Sequence, residues 1–231
     1  MLQSLREQVL DANLELVRRK LVLYTFGNLS AIAREQNLVV IKPSGVPYED
    51  LKPEHMVVTD LEGNIIEGNL RPSSDLPTHL LLYKHFPEIG GVAHTHSEYA
   101  TSWAQACRAI PCLGTTHADY FHGAVPVTEK MPPQEIAEDY EKNTGLAIVR
   151  CFESLNAAAI PGVLVASHGP FAWGKDAAEA AHHAVILEAL ARMAYLTLAI
   201  NPDSPPLNPV LHDKHYLRKH GKHAYYGQSK R

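Results

Sequence analysis

The sequence predicts an α/β sandwich folded as a single domain. Strand-like apolar runs alternate with helical periodicities along the chain, the pattern of helices packed on a sheet. No internal repeat is present, and the Pro-rich stretch 201–209 is short enough to be a surface loop and not a linker. The 231 residues suffice to bury one sizeable core.

Each element follows from its local pattern. Leu5, Val9, Ala12 and Leu16 share one face of a helix over 2–18. Apolar runs at 21–26 and 38–41 read as strands. The runs 56–61 and 65–67 flank Glu62-Gly63-Asn64, a hairpin turn. Pro72-Ser73-Ser74-Asp75 offers N-cap side chains for a helix ending near Phe86. Residues 89–93 read as a short buried strand, and a helix over 98–108 is closed by Pro111. Pro132-Pro133 opens a helix running to about Lys142. Residues 163–167 are a strand ending on a Gly169-Pro170 turn. A long helix over 176–200 and a last one over 211–220 complete the chain.

Composition is ordinary for a soluble protein, with 45% hydrophobic and 20% charged residues. The net charge of −4 argues against a nucleic-acid binder. Cys107, Cys112 and Cys151 are odd in number and form no Cys-x-x-Cys. They read as reduced thiols of a cytoplasmic protein and not as a disulfide frame or zinc site. The N-terminal segment is amphipathic with acids nearby, unlike a secretory signal. The apolar segment 177–200 carries Glu179, His182, His183, Glu188 and Arg192, which marks a soluble helix and no membrane span.

The compositional oddity is 14 histidines. His94 and His96 stand two apart at a strand end, and strand residues two apart share a face. They can converge on one metal ion or simply cap the strand; neutral imidazole is a favoured ligand of Zn²⁺ and its neighbours. Pro161 to Pro170 repeats the logic, with an apolar strand ending on His168. Asp75 lies at a helix start, where it is a plain N-cap or a fourth ligand. Three histidines and a carboxylate suit Zn²⁺ or Mn²⁺. His182 and His183 diverge on a helix and, like His117, read as structural.

Six motifs in order make a resemblance specific. They are Ile41-Lys42-Pro43-Ser44-Gly45, Arg71-Pro72-Ser73-Ser74-Asp75, His94-Thr95-His96, the Gly114–Tyr120 segment, the Ser167–Lys175 segment, and Lys219-His220-Gly221 with Ala224-Tyr225-Tyr226-Gly227-Gln228. Together the chain resembles the L-ribulose-5-phosphate 4-epimerases of the class II aldolase superfamily, from its first helix to Gln228. The resemblance implies a three-layer α/β/α domain around a mostly antiparallel sheet, one domain over 1–231. It implies a homotetramer with active sites between subunits, the C-terminal helix and tail (about 207–231) completing a neighbour's site. It also implies that Asp75, His94, His96 and His168 hold one divalent metal per subunit, zinc first and manganese or cobalt next.

The reaction so implied interconverts L-ribulose 5-phosphate and D-xylulose 5-phosphate. The C4 hydrogen is not α to the C2 carbonyl, so simple deprotonation is unavailable. Transient oxidation needs NAD, and none of the 14 glycines forms Gly-x-Gly-x-x-Gly. The remaining route breaks C3–C4 as a retro-aldol, rotates the aldehyde and closes on its other face. A metal suits the enediolate charge. The two epimers present the C4 oxygen on opposite sides, so two acid/base groups are expected. The resemblance assigns them to Asp119 and Tyr226, with Tyr226 from a neighbouring subunit. A tyrosine hydroxyl ordinarily ionises near pH ~10, so a cation must help it.

Small polar pairs at loops and a helix start, Gly27-Asn28, Ser44-Gly45 and Ser73-Ser74, present backbone N–H groups to an anion. The resemblance places substrate there, with Lys42 as a nearby cation and Thr115 and Glu141 lining the site. Lys214, Arg218, Lys219 and Lys222 read as a solvated helix face from which Arg218 reaches a phosphate in the tetramer. Phe26 and His122 depart from the Trp and the aromatic usual in the family. Both are expected to leave the ligands untouched, with His122 near Asp119. Two alternatives remain. One is a sugar-phosphate aldolase that releases its products, whose members generally carry Glu at the position of Asp75. The other is a non-catalytic zinc protein, whose sites are usually closed and cysteine-rich.

Overall fold

The computed structural model describes residues 2–226. Seven strands build one sheet: β1 (Asn28–Ala33), β2 (Leu38–Ile41), β3 (Val57–Asp60), β4 (Ile65–Glu67), β5 (Gly91–His94), β6 (Gly162–Leu164) and β7 (Pro170–Gly174). Their order is β4-β3-β2-β1-β5-β7-β6, and each neighbouring pair is antiparallel. The β3–β4 turn is closed by Asp60, whose carboxylate accepts from the backbone N–H of Glu62 and Asn64.

Directly paired residues of antiparallel strands share a face. Gly91 pairs with Gly174 and Ala93 with Ala172, so one face of β5 and β7 is nearly bare backbone. The long helix α7 (Ala177–Ile200) lies on it, accompanied by α1 (Gln3–Arg18) and α3 (Glu98–Gln105). Asp176 caps α7 by accepting from the Glu179 N–H. The buried positions Ala180, Ala184, Leu187, Ala191 and Ala194 follow helical spacing. Although α7 is long and apolar enough to cross a membrane, this face packs within the protein.

The opposite face carries Asn28, Ser30, Val92, His94, Phe171 and Trp173 in register. It is covered by α2 (Leu76–His85) and α6 (Tyr140–Cys151), which pack on each other. Phe86, Phe152 and Trp173 form the aromatic contact between these layers. The expected three-layer sandwich around an antiparallel sheet is therefore the observed one. Three further helices lie outside the layers: α4 (Thr115–Ala118), α5 (Pro133–Ala137) and α8 (Pro209–His220).

Several expected boundaries move. Residues 21–26 are no strand: Lys20, Tyr24 and Gly27 take positive φ, and the first strand begins at Asn28. β6 ends at Leu164 and not Ser167, because Ser167 has φ 63° and the chain turns there. Pro170 does not merely end that turn; it opens β7, a position where a strand tolerates proline. The helix expected from Pro132 to Lys142 is two helices. Asp139 breaks it at φ 49°, and the Asn143 amide clamps the break on the Glu135 and Glu138 carbonyls.

The seating of α7 gives a direct test. A Cβ on Gly91 would stand 2.4 Å from the Asp176 carbonyl oxygen and 2.8 Å from the Ala177 nitrogen. Gly91→Ala should therefore lower the unfolding free energy by about 1–3 kcal/mol, read as a lower urea midpoint. An unchanged midpoint would refute the contact.

Candidate active site

The cavity of about 480 Å³ at the end of β1 and β5 collects most of the anticipated residues. Gly27, Asn28, Lys42, Ser44, Gly45, Ser73, Ser74, Asp75, His94, His96, Glu141 and His168 all line it. Gly27 is required by its backbone: it has φ 77°, and a Cβ there would meet the His94 carbonyl oxygen at 2.9 Å. Tyr48 anchors this loop by donating to the Phe26 and Gly27 carbonyls.

His94 ends β5, His96 lies two residues on, and His168 sits in the turn between β6 and β7. One ring nitrogen from each lies within 4.8 Å of the other two. His94 Nδ1 lies 3.0 Å from the Pro170 carbonyl oxygen, which can only accept. Nδ1 therefore carries the proton, and the Nε2 lone pair faces the cluster. That Nε2 stands 3.1 Å from His96 Nε2. Tetrahedral Zn–N bonds of about 2.0–2.1 Å place ligand nitrogens roughly 3.3 Å apart. The three imidazoles therefore fit a small divalent cation.

Electrostatics reinforce the fit. Burial, with His94 and His96 nearby, pushes His168 down to about 3, so its ring is neutral with a free lone pair on one nitrogen. Burial lowers His96 too. Burial alone would raise Asp75, but His94, His79, the Asn28 hydrogen bond and His168 hold it below the usual carboxylate value. Asp75 occupies the N-cap position of α2 yet makes no capping hydrogen bond. Its Oδ2 accepts from Asn28 Nδ2 at 2.6 Å instead. The carboxylate stands beside the three-imidazole set without being a member of it.

Lys42 is 1% exposed, and burial lowers its pKa to about 8. Its Nζ stacks 4.7 Å from the Tyr48 ring centroid. The strand end carrying Lys42 and the loop carrying Ser73 are tied by the Ser73 N–H on the Lys42 carbonyl. α2 and α6 both begin at this cavity, where helix N-termini favour an anion.

Thr115, Asp119, Arg218 and Tyr226 are not among the described residues lining the cavity. Asp119 follows α4 and meets α8: it accepts from Arg218 at 2.8 and 2.9 Å and lies 3.1 Å from His215 Nδ1. Burial would raise Asp119, but Arg218, His215 and Lys219 hold it below the usual carboxylate value. Tyr226 packs under Arg218 and Lys219, at 4.8 and 4.6 Å from its ring centroid. The solvated face expected of the basic helix is thus wrong for Arg218 and Lys219, whose side chains are 23% and 16% exposed against Asp119. His122 pairs with Asp213 at 2.9 Å rather than tuning Asp119. Phe26 does touch a ligand candidate, its ring centroid 6.2 Å from that of His96. His117 is structural as expected, with Nε2 on the Gly123 carbonyl.

Sequence reasoning missed Thr25, Pro43 and Tyr140 in the cavity lining, and His79 behind it. The Tyr140 hydroxyl lies 3.3 Å from His168 Nδ1. Its position beside Glu141 was the available signal. For His79 it was the four-residue spacing from Asp75 on one helix.

Fold and site define a class. Residues 7–195 match the Class II Aldolase and Adducin N-terminal domain family, and the chain belongs to that family. The chain is 54% identical over 227 residues, 98% of its length and 100% of theirs, to proteins named L-ribulose-5-phosphate 4-epimerase UlaF from Salmonella paratyphi A (strain ATCC 9150 / SARB42) and Salmonella typhi. Among solved structures, a protein named L-fuculose 1-phosphate aldolase superposes with a TM-score of 0.78 at 25% identity, covering 92% of this chain and 94% of that one. A putative aldolase/epimerase/decarboxylase, YgbL from Klebsiella pneumoniae, gives 0.73 at 26% identity, covering 92% and 97%.

The Asp119 cluster predicts how α8 is held. Its stabilisation is complete above the ordinary aspartate value of 3.8 and is lost as pH falls through the lower folded value. Asp119→Asn at pH 7 should cost about 1–3 kcal/mol of local stability. Hydrogen exchange should then quicken in α8 and not in β5 or β7; equal protection in both proteins would refute the anchoring role.

Proposed function

We propose that this chain is a metal-dependent L-ribulose-5-phosphate 4-epimerase. It interconverts L-ribulose 5-phosphate and D-xylulose 5-phosphate by cleaving and re-forming C3–C4. The observation that carries this reading is full-length likeness, at 54% identity, to proteins of that name. The aldolase-named structure is a more distant match at 25%. Asp75, one carbon shorter than the Glu of the aldolases, is less free to leave a metal and act as a base.

In this reading His94, His96, His168 and Asp75 hold one divalent ion per subunit, zinc first, with manganese or cobalt as substitutes. When bound, the ion supplies Lewis-acid polarisation of the C2 and C3 oxygens. Asn28 holds the Asp75 carboxylate in place. Lys42, Ser44, Gly45, Ser73 and Ser74, with Gly27 and Asn28, bind the phosphate end. Glu141 lines the sugar, and Thr115 joins it from the Asp119 side.

Asp119 and Tyr226 are the acid/base pair that takes the C4 hydroxyl proton on cleavage and returns one on closure, from opposite faces. Arg218 and Lys219 stack on the Tyr226 ring and fix its place beside Asp119. Arg218 sits on Asp119 and so acts there, the phosphate contact expected of it requiring a second subunit. That the cavity and the Asp119 cluster lie apart in one chain supports a homotetramer in which residues 207–231 complete a neighbour's site. Gly227 to Arg231 lie outside the described residues. The exposed apolar residues Val210, Leu217 and Tyr225 on that segment support it as well. Cytoplasmic location fits the three unpaired cysteines.

Incubation with L-ribulose 5-phosphate, followed by NMR with and without chelator, tests the reading. Metal-dependent D-xylulose 5-phosphate with at most traces of dihydroxyacetone and glycolaldehyde phosphate is expected. Accumulation of the two fragments would make the enzyme an aldolase, and no conversion would overturn the substrate. A second check uses Lys42, a cation below its pKa of about 8. In the free enzyme kcat/KM should fall as pH rises past that value. Lys42→Met should lower kcat/KM at every pH and remove that limb; persistence of the limb would exclude Lys42 as the phosphate cation.

A further inference from the structure

Behind the cavity wall, between α2 and the sheet, lies a buried polar chain that the reaction as described does not use. Ser30 Oγ is 2.8 Å from the Tyr83 hydroxyl and 2.7 Å from His79 Nδ1. All three residues are fully buried. Each of the two hydroxyls has one proton to give, and Ser30 Oγ stands between a phenol and a ring nitrogen. With Tyr83 donating to Ser30 and Ser30 to His79 Nδ1, both hydroxyl protons are used. That arrangement puts the ring proton on His79 Nε2, the tautomer that suits a neighbouring carboxylate.

That Nε2–H has no hydrogen-bond partner, although His79 is 0% exposed. A buried donor needs an acceptor. His79 follows Asp75 by four residues on α2, so the two side chains are neighbours on one helix face. Among the charges acting on the His79 ring, that of Asp75 is the largest. Asp75, for its part, has given up the capping bond its position offers and is held from the strand side by Asn28.

We propose that His79 is the positioning residue of the metal centre: its Nε2–H, without a partner here, takes the Asp75 carboxylate from the helix side when Asp75 turns to a metal, while Asn28 holds it from the strand side. The inference rests on the reading of Asp75 as a metal ligand. Donors behind a ligating carboxylate fix its orientation, and their loss typically weakens metal binding about 10–100-fold. His79 reaches neither substrate nor metal and acts only through Asp75.

The test measures zinc affinity of metal-stripped protein by competition with a chromophoric chelator, alongside the Tm of the stripped form. His79→Phe keeps the bulk against Phe171 and removes the donor; zinc affinity should fall about 10–100-fold. His79→Gln keeps an N–H near the Nε2 position and should stay within a few-fold of wild type. Ser30→Ala frees Nδ1 to take the proton and should weaken zinc binding with little change in packing, which keeps the inference testable if His79→Phe fails to fold. A lower Tm with wild-type zinc affinity in the folded variants would mean that His79 is only a core residue, and would overturn the proposal. If Asp75→Asn itself binds zinc as tightly as wild type, the ligand role of Asp75 fails first, a result distinct from failure at His79.

Discussion

The site depends on how closely α7 approaches β5 and β7. Gly91, Ala93, Ala172 and Gly174 leave almost no side chain on that face, so the helix rests against strand backbone. Alternation then sends every large or polar side chain of these strands to the other face. His94 and Phe171 are directly paired there, and their rings stack with centroids 4.2 Å apart. The same pairing brings the Pro170 carbonyl under His94 Nδ1. A packing requirement on one side of the sheet therefore sets the tautomer and direction of an imidazole on the other.

Around that imidazole the polar groups form a consistent set. His168 is driven neutral by burial and by its histidine neighbours, while Asp75 stays ionised despite burial. Neutral imidazoles beside an anion are the protonation states a divalent cation requires, so binding one releases few protons near neutrality. Lys42 lines the same cavity with a weakened hold on its proton. The cavity thus combines a ligand set suited to a cation with a buried ammonium suited to an anion, the two needs of a phosphorylated sugar chelated by its oxygens.

Much of this was legible in the chain because strand-end histidines and helix-start acids leave local marks. His94, His96, His168 and Asp75 were all visible in that way, and the cavity gathers them. What escaped was whatever tertiary contact overrides. The run 21–26 has strand composition, but positive φ at Tyr24 and Gly27 bends it into the cavity loop. β1 was hidden because Asn28 and Ser30 look solvent-facing, whereas both are buried by the site itself. Pro170 read as the end of a turn although it begins a strand. His79 carries no motif of its own, and its interest appears only once Ser30 and Tyr83 are seen across the sheet–helix gap.

The placement of Asp119 bears on how such a site could be finished. Three cationic or ionisable side chains of α8 converge on this one carboxylate: Arg218, Lys219 and His215. Tyr226 folds back over two of them. The cluster joins α4 to the C-terminal segment as one unit, away from the cavity of the same chain. An epimerisation that attacks a carbonyl from either face needs two proton-transfer groups, one for each face. In the proposed reading one subunit supplies the wall that binds metal and phosphate, and another supplies the Asp119–Tyr226 unit as the facing wall. The ion pairs between Asp119 and α8 then serve a second end: they fix Asp119 and Tyr226 relative to each other before the two walls meet, so that assembly aligns a pair already in register.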